Sequence, residues 1–579
     1  MLKECLDIFD KEYAVKGEKL ITDNYILSEG TYVLVKNGMI TTVKDAPKQK
    51  DFDAIAFKDF IVKDYLSKLL DMNKPIDQKK VIHSNNYHAF WVKKESLKAD
   101  KDGNRKLTEE IVKHYYEILK NPMTKYKNKG LDLYLSVEKN IGKPDVKQLE
   151  LHKQWILENI FTLIENNDIK DDKNYLKIYF DVDENLYRIE NERYVIPNIY
   201  NATEYNIIRD EQIFGLPNNN MGLNGKKPYL ENKTRKNKLP YLISTNEVSL
   251  QKKFFDYLYN YANKGKTNIY ISEKNKITAL DHIEILDKPF EGYYLRIKKG
   301  KELEIHDFDI VTGFNPKIDP IVFRQVIPVP EKGATDFVYE KIDQLEMIKN
   351  IINSTFFKKF LSGNFFSDSK DIRLNDFRVK EELLNCRNGY FNWFFKGDQR
   401  IVKSFFSKST LELIKNSISF GYVPKATEQY NVRDTLMGYF EGSTRMADRF
   451  KTIFNRLSDE INGKTTGVIQ TDEEYYFIAG QLAKYLLSFN KASKQVYSII
   501  NPVINGKIDD NLRTIIKNLF IKYNYAIQPS KRFSNLYAMF FSYESEIKKI
   551  NQETLIAGYL YSSLIYEKKV KEEEDNDVE

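Results

Sequence analysis

Residues Asn315 to Gly333 read NPKIDPIVFRQVIPVPEKG and carry Pro316, Pro320, Pro328 and Pro330. Proline lacks a backbone N–H and clashes with the preceding turn, so it is kept out of helix interiors. Thirteen of the 16 prolines lie at or before Pro330, and only Pro424, Pro502 and Pro529 follow. The chain after this stretch can therefore be nearly all helix, whereas the chain before it must be mixed. The expected organisation is an α+β region over 1–335 followed by an all-α C-terminal helical bundle over 336–566. The tail EKKVKEEEDNDVE, over 567–579, is acidic and expected to fray into solvent.

Working outward, short β-rich runs predict strands at Thr31 to Lys36, Tyr87 to Val92, Tyr175 to Asp181, Asn268 to Ser272 and Tyr293 to Lys298. Apolar residues at helical spacing predict helices at Glu109 to Leu119 and Val146 to Glu165. No regular strand–helix–strand alternation is present. After the proline-rich stretch, helices are predicted at Asp336 to Phe360, Arg400 to Ile418, Arg433 to Ile461, Leu512 to Asn524, Ser534 to Phe541 and Gln552 to Tyr566. The clearest helix begins at Thr471, where Thr471 and Glu474 have capping-box spacing. Ile478, Leu482, Tyr485, Leu486 and Phe489 follow as a core stripe.

The chain has 579 residues, 42% hydrophobic and 30% charged, with a formal net charge of +7. Ninety basic residues almost cancel 83 acidic ones, so any polyanion-binding surface must come from local clustering. Aromatics reach 13%, and the accompanying excess of Lys, Asn and Ile attributes this to an AT-rich genome rather than to a stacking function. Cys5 and Cys386 are too far apart for a metal knuckle and too few for a disulfide framework. MLKECLDIFDKEY lacks a signal-peptide core, and no stretch has the apolar length of a membrane span. These features predict a soluble, cytoplasmic protein.

An enzyme should show a constellation of nucleophile, base or metal ligands. Six histidines are present (His83, His88, His114, His152, His282 and His306). No HExxH and no GxxxxGK[ST] loop occurs. His282 with His306-Asp307 hints at a metal-dependent phosphohydrolase, but KELEIHDFDIV reads as a strand leaving a turn. Asp181, Asp183 and Glu184 could form a nuclease carboxylate cluster, yet DVDEN after a strand is ordinary turn chemistry. No catalytic residues, no cofactor and no metal site are expected.

The most informative segment is NNNMGLNGKKPYLENKTRKNK, Asn218 to Lys238. Lys226, Lys227, Lys233, Arg235, Lys236 and Lys238 face one acid, Glu231, and can neutralise phosphates. Asn218, Asn219, Asn220 and Asn224 can donate to and accept from base edges, and Tyr229 offers a stacking face. Gly222 and Gly225 allow unusual backbone, and Pro228 and Pro240 bracket a non-helical excursion. The alternative is a solvated basic surface loop. A second segment, Asp71 to Leu97, places Lys74, Lys79 and Lys80 before a turn at Ser84-Asn85-Asn86. The strand bearing Phe90 and Trp91 then runs into Lys93 and Lys94. Alternation sets His88, Phe90 and Val92 against Tyr87, Ala89, Trp91 and Lys93. A basic rim there suits a nucleic-acid strand; a purely structural hairpin is the alternative.

DMNKPIDQKKVIHSNNYHAFWVKKESL and IFGLPNNNMGLNGKKPYLENKTRK resemble the large subunit of the type I-B CRISPR Cascade complex, in the clostridial branch of the Csh family. YFIAGQLAKYLLSFNKASK and LIAGYLYSSL resemble that family's C-terminal part. The resemblance implies a non-catalytic subunit of an RNA-guided antiviral surveillance complex. Such a subunit sits near the handle of the CRISPR RNA, reads the protospacer-adjacent motif in duplex DNA and helps form the R-loop. It also helps recruit the helicase-nuclease effector. The implied partners are CRISPR RNA, target double-stranded DNA and the backbone and small subunits, with no membrane. Its C-terminal bundle would resemble the small subunit, and Met437 is a plausible internal start for a separate product. Many members carry a cysteine-rich zinc insertion that Cys5 and Cys386 cannot supply.

Because base pairing delegates sequence recognition to the guide, such a protein needs only a few groove donors and scattered phosphate contacts. The loop chemistry assigns motif reading to Asn218, Asn219, Asn220, Asn224, Lys226 and Lys227, and phosphate holding to Lys233, Arg235 and Lys236. Lys79, Lys80, Lys93, Lys94, Arg445 and Arg449 are further backbone candidates, with Lys451, Arg456 and Lys494 also on the bundle. The rival readings are a metal-dependent nuclease and a protein-interaction scaffold without nucleic-acid contact.

Overall fold

The computed structural model describes every residue except 1, 128, 202, 211, 219–220, 222–241, 275, 331–339, 443–447, 464–466, 491–496, 529, 547–548 and 567–579. The expected junction at 335/336 and the acidic tail lie outside the described residues. The chain divides into two compact units, the first of Met1–Glu284 and Glu291–Ile310, the second of Ile285–Phe290 and Val311–Glu579. The first is α+β and the second mostly helical, as the proline distribution predicts.

The first unit opens with α1 (Leu2–Lys16) and α2 (Lys19–Thr22). A sheet follows, formed by β1 (Gly30–Lys36), β2 (Met39–Ala46), β3 (Ala89–Lys93) and β4 (Tyr175–Phe180) in the order β2-β1-β4-β3. β1 and β4 run parallel, and the other pairs are antiparallel. Its helices are α3 (Lys58–Ser67), α4 (Glu109–Lys120), α5 (Lys129–Ile141), α6 (Val146–Asn159), α7 (Leu163–Asn166), α8 (Glu184–Asn198) and α9 (Thr245–Asn263).

Both faces of this sheet are covered, which is why β1 is a continuous buried run rather than an alternating one. Val33, Val35, Phe90, Val92, Leu176 and Ile178 pack against Tyr115, Tyr116, Leu149 and Ile156 of α4 and α6. Tyr32, Leu34, Ala89, Trp91 and Tyr179 pack against Phe60 and Ile61 of α3 and Tyr187 of α8. The predicted alternation of β3 holds inside the strand, but Tyr87, before its start, joins the Phe90 side.

One charge cluster is sealed into the second face. Asp64 accepts from the Tyr25 hydroxyl at 2.5 Å, Lys177 Nζ at 2.6 Å and the Tyr179 hydroxyl at 2.6 Å. Lys177 also lies 4.0 Å from the Trp91 ring centroid. Burial pushes the Asp64 carboxyl up, but Lys177 and Lys68 outweigh it and hold it below the usual range.

Two further sheets follow, one of three strands and one of four. β5 (Ile207–Arg209), β6 (Gln212–Gly215) and β7 (Ile243–Ser244) form one, in sequence order. β8 (Lys266–Ser272), β9 (Lys276–Asp281), β10 (Phe290–Lys299) and β11 (Leu303–Phe314) form the other, in the order β11-β10-β8-β9. Phe9 of α1 and Phe254 and Leu258 of α9 pack on Ile269, Ile271, Leu295 and Ile297 of that sheet.

In the second unit β12 (Lys317–Val322) pairs with β13 (Lys341–Gln344). The helix predicted at Asp336 to Phe360 is shorter, α10 (Leu345–Thr355), because Lys341 to Gln344 is drawn into that pairing. Then come α11 (Phe377–Lys396), α12 (Arg400–Ser419), α13 (Val423–Glu441), α14 (Arg449–Asn462), α15 (Asp472–Ser488), α16 (Asn501–Ile504), α17 (Asp509–Tyr523), α18 (Lys531–Ser542) and α19 (Gln552–Leu560). The single helix predicted over Arg433 to Ile461 is two: Gly442, at φ +66°, caps the end of α13 in the left-handed conformation.

Thr471 caps α15 as predicted, its hydroxyl accepting from Glu474 N. Glu474 turns back to Gln470 N at 2.8 Å, one residue before the cap. α15 and α19 cross backbone to backbone. A Cβ on Gly480 would collide with Leu555 O and lie 2.5 Å from Tyr559 N; one on Gly558 would collide with Phe477 O and lie 2.8 Å from its carbonyl carbon. The strings YFIAGQLAKYLLSFNKASK and LIAGYLYSSL thus meet at paired glycines.

Candidate nucleic-acid interface

The basic excursion begins and ends in one hairpin. β6 pairs antiparallel with β7, Phe214 opposite Ser244 and Gly215 opposite Ile243, so the chain from Leu216 to Leu242 leaves and returns at adjacent strands. The Tyr200 hydroxyl sits between the two, 2.9 Å from Ile213 O and 2.7 Å from Ile243 O. A Cβ on Gly215 would fall 2.7 Å from the Tyr200 ring, so only glycine fits that foot. Asn219, Asn220, Asn224, Lys226, Lys227, Lys233, Arg235 and Lys236 lie outside the described residues.

Asn218 is described and is fully buried. Its backbone N–H donates to Ile199 O at 2.6 Å, and its side-chain amide donates to Asp71 Oδ2 at 3.3 Å and Asn198 O at 3.4 Å. Met221 is also buried, packed with Leu133, Ile199, Tyr200 and Val248. A side chain so enclosed does not face a DNA groove. Asn218 anchors the excursion rather than reading a base, which corrects its expected role.

Asp71 opens the segment Asp71 to Leu97, so the Asn218–Asp71 contact joins that segment to the foot of the excursion across 147 residues. The same region is stitched further. Lys74 Nζ donates to Asn198 O at 3.2 Å, Lys125 Nζ donates to Pro75 O at 2.6 Å, and the Tyr194 hydroxyl donates to Lys74 O at 3.0 Å. Burial pushes the Lys125 ammonium down to about 7.

Beyond this root, Asp77 ties a turn by accepting from Lys79 N at 2.9 Å and Val81 N at 2.7 Å. Lys79 and Lys80 are left exposed at its tip, Lys80 at φ +57°. His83 braces the turn between the Tyr175 hydroxyl at 2.6 Å and Lys80 O at 2.8 Å. Asn85 and Asn86 are fully buried, and Asn85 holds Lys68 O at 2.6 Å. Lys93 is half-buried and 3.8 Å from Glu95.

Lys94 is 0% exposed, donates to Lys170 O at 2.7 Å and pairs with Asp172 at 3.1 Å. A sealed, paired ammonium offers nothing to a phosphate. Of the four lysines expected there, Lys79, Lys80 and Lys93 present charge at the surface.

On the bundle, Arg445 and Lys494 lie outside the described residues. Arg449 is drawn inward, 3.3 Å from Glu553 and 3.7 Å from Asp434, with its guanidinium 4.3 Å from the Phe450 ring centroid. Arg456 grips Glu474 and lies 3.5 Å from Glu460. Both therefore act in packing, and Lys451 is the exposed one. Met437 sits in the last turn of α13, so a product starting there would lack Ala426 and Tyr430, which share the core of α15 and α19.

The groups of the nuclease reading are engaged elsewhere. Asp181 lies 3.2 Å from Lys36 and 3.6 Å from Lys63. Asp183 caps α8 by accepting from Asn185 N at 2.8 Å. His306 Nε2 lies 3.0 Å from Glu304. Among the described residues no group of three His, Cys, Asp or Glu side chains gathers as a metal site would. Burial pushes the thiols of Cys5 and Cys386 up to about 12. Among the described residues no helix is long and apolar enough to cross a membrane. Compared with known proteins, the chain matches no family model, no curated protein and no solved structure.

Proposed function

We propose that the chain is the non-catalytic large subunit of an RNA-guided, type I-B-like CRISPR surveillance complex. In this reading it recognises the protospacer-adjacent motif, aids R-loop formation and helps recruit the helicase-nuclease in antiviral defence. Its partners are CRISPR RNA, target duplex DNA and the backbone and small subunits, and it works in the cytoplasm without a cofactor.

The observation that supports this most is the contact between Asn218 and Asp71. It brings the foot of the Asn-, Gly- and Lys-rich excursion to the start of the segment that exposes Lys79 and Lys80. The described foot of one family-like string thus meets the first residue of the other. A hairpin with pinned strands suits a reading loop, because its feet hold register while its tip meets a groove.

The test is binding of guide-loaded complex to duplexes that differ only in the bases flanking the target. Replacing Asn219, Asn220 and Asn224 with Ala should relax that preference while guide RNA stays bound. Retention of full discrimination would remove the loop from motif reading. Absence of any RNA in the purified assembly would remove the function itself.

A further inference from the structure

A cavity of about 440 Å³ opens in the second unit between the residues after α10, the N-terminus of α11 and the turn joining α12 to α13. That volume falls within the roughly 300–1,000 Å³ of small-ligand pockets. Its charged lining residues are Lys358, Asp376 and Lys425. The carboxylate is already committed: Asp376 accepts from Lys358 Nζ at 2.6 Å, Val379 N at 3.2 Å and the Asn416 amide at 3.1 Å.

Lys425 is half-buried, and among the described residues its ammonium has no hydrogen bond and no ion pair. Burial and then Lys358 push it below the usual lysine range, against the weaker pull of Asp376 and Glu428. Neither of these two carboxylates pairs with it directly.

The backbone around Lys358 is built with care. Lys358 and Lys359 both adopt left-handed φ, +51° and +67°, which non-glycine residues avoid. Asn353 holds them there, its carbonyl accepting from Lys359 N at 2.8 Å and its side chain from Leu361 N at 2.9 Å. Phe420 and Tyr422 also line the cavity; they are 55% and 56% exposed, with rings stacked 6.2 Å apart at 25°. Gly421 between them, at φ +77°, lets both rings project. Two large exposed rings contribute little to folding, but an aromatic face beside cations stacks a base next to its phosphate.

We propose that this cavity binds a nucleoside monophosphate unit, free or within a single strand. The phosphate pairs with Lys425, and the base lies on the Phe420–Tyr422 face. The inference rests on this cavity alone and stands apart from the proposed function above.

The test titrates the full-length chain by calorimetry with thymidine 5′-monophosphate, thymidine, inorganic phosphate and a thymidylate hexamer. The monophosphate should bind at least tenfold more tightly than thymidine or phosphate. Lys425→Gln and the paired change Phe420→Ala with Tyr422→Ala should each weaken it at least tenfold, with the circular dichroism melt unchanged. Equal affinity for hexamer and monophosphate identifies a free nucleotide as the ligand, and a tighter hexamer identifies a strand. The proposal is overturned if none of the four probes binds, if phosphate binds as well as the monophosphate, or if folded Lys425→Gln binds like the parent.

Discussion

Replacing Gly480 with Ala should destabilise the helical unit, although the same change in an exposed helix stabilises it. Alanine is favoured over glycine in a helix interior by about 1 kcal/mol. Against this, a Cβ at Gly480 meets Leu555 O, Tyr559 N at 2.5 Å and Gly558 C at 2.9 Å, all backbone atoms of α19. No side chain can swing aside, so α15 and α19 must separate and their flanking apolar contacts loosen. Overpacking of a tight core costs about 1–3 kcal/mol, and a backbone clash belongs at the top of that range. The net expectation is a loss of about 2 kcal/mol, read as a lower midpoint in urea unfolding followed by circular dichroism at unchanged slope. Gly558→Ala should cost a similar amount, since its Cβ meets the backbone of Phe477. The double variant should cost clearly less than the sum, because helices already parted accommodate the second methyl. A Gly480→Ala protein as stable as the parent would refute the close crossing.

Three other outcomes are expected. Asp64→Leu should cost about 3–5 kcal/mol by stranding the buried Lys177 ammonium, and adding Lys177→Met should recover most of it in the same assay; a double variant no better than the single would deny the pairing. Burial holds the His152 imidazole down to about 4, against ~6.5 unfolded, so the unfolded chain binds the extra proton between those values. Stability is then full above about 6.5 and falls by about 3 kcal/mol on acidification to about 4; a His152→Phe variant should lose clearly less, and equal losses would exclude this group. Replacing Lys233, Arg235 and Lys236 with Ala should weaken DNA binding for all sequences and reduce the salt slope by up to about three; an unchanged slope would mean that these cations touch no phosphate.

Much of the fold is legible in local pattern. The prolines around Pro316 to Pro330 separate a mixed region from a helical one, and Thr471 announces its helix by cap chemistry. What is not legible depends on distant partners. Nothing near Lys94 shows that Lys170 and Asp172 will bury it, and nothing near Asn218 names Asp71. Lys93 and Lys94 look alike in sequence, yet one is at the surface and the other is sealed. α11 has no clear apolar stripe because Tyr390, Phe391, Trp393, Phe394 and Phe395 bury most of its circumference, and helical periodicity fades when a helix is covered on most sides. Gly442 is a local signal for the end of α13, masked by apolar spacing that continues in register beyond it. The Lys358–Lys425 cavity unites residues from three elements, so no short motif marks it.

The most direct measurement isolates the tagged full-length chain from its native host, washes it at high salt and sequences the RNA that remains. The expected result is one class of short RNA with a constant 5′ handle and variable remainder, retained with the backbone subunits. No RNA, or a random sample of cellular transcripts, would contradict it.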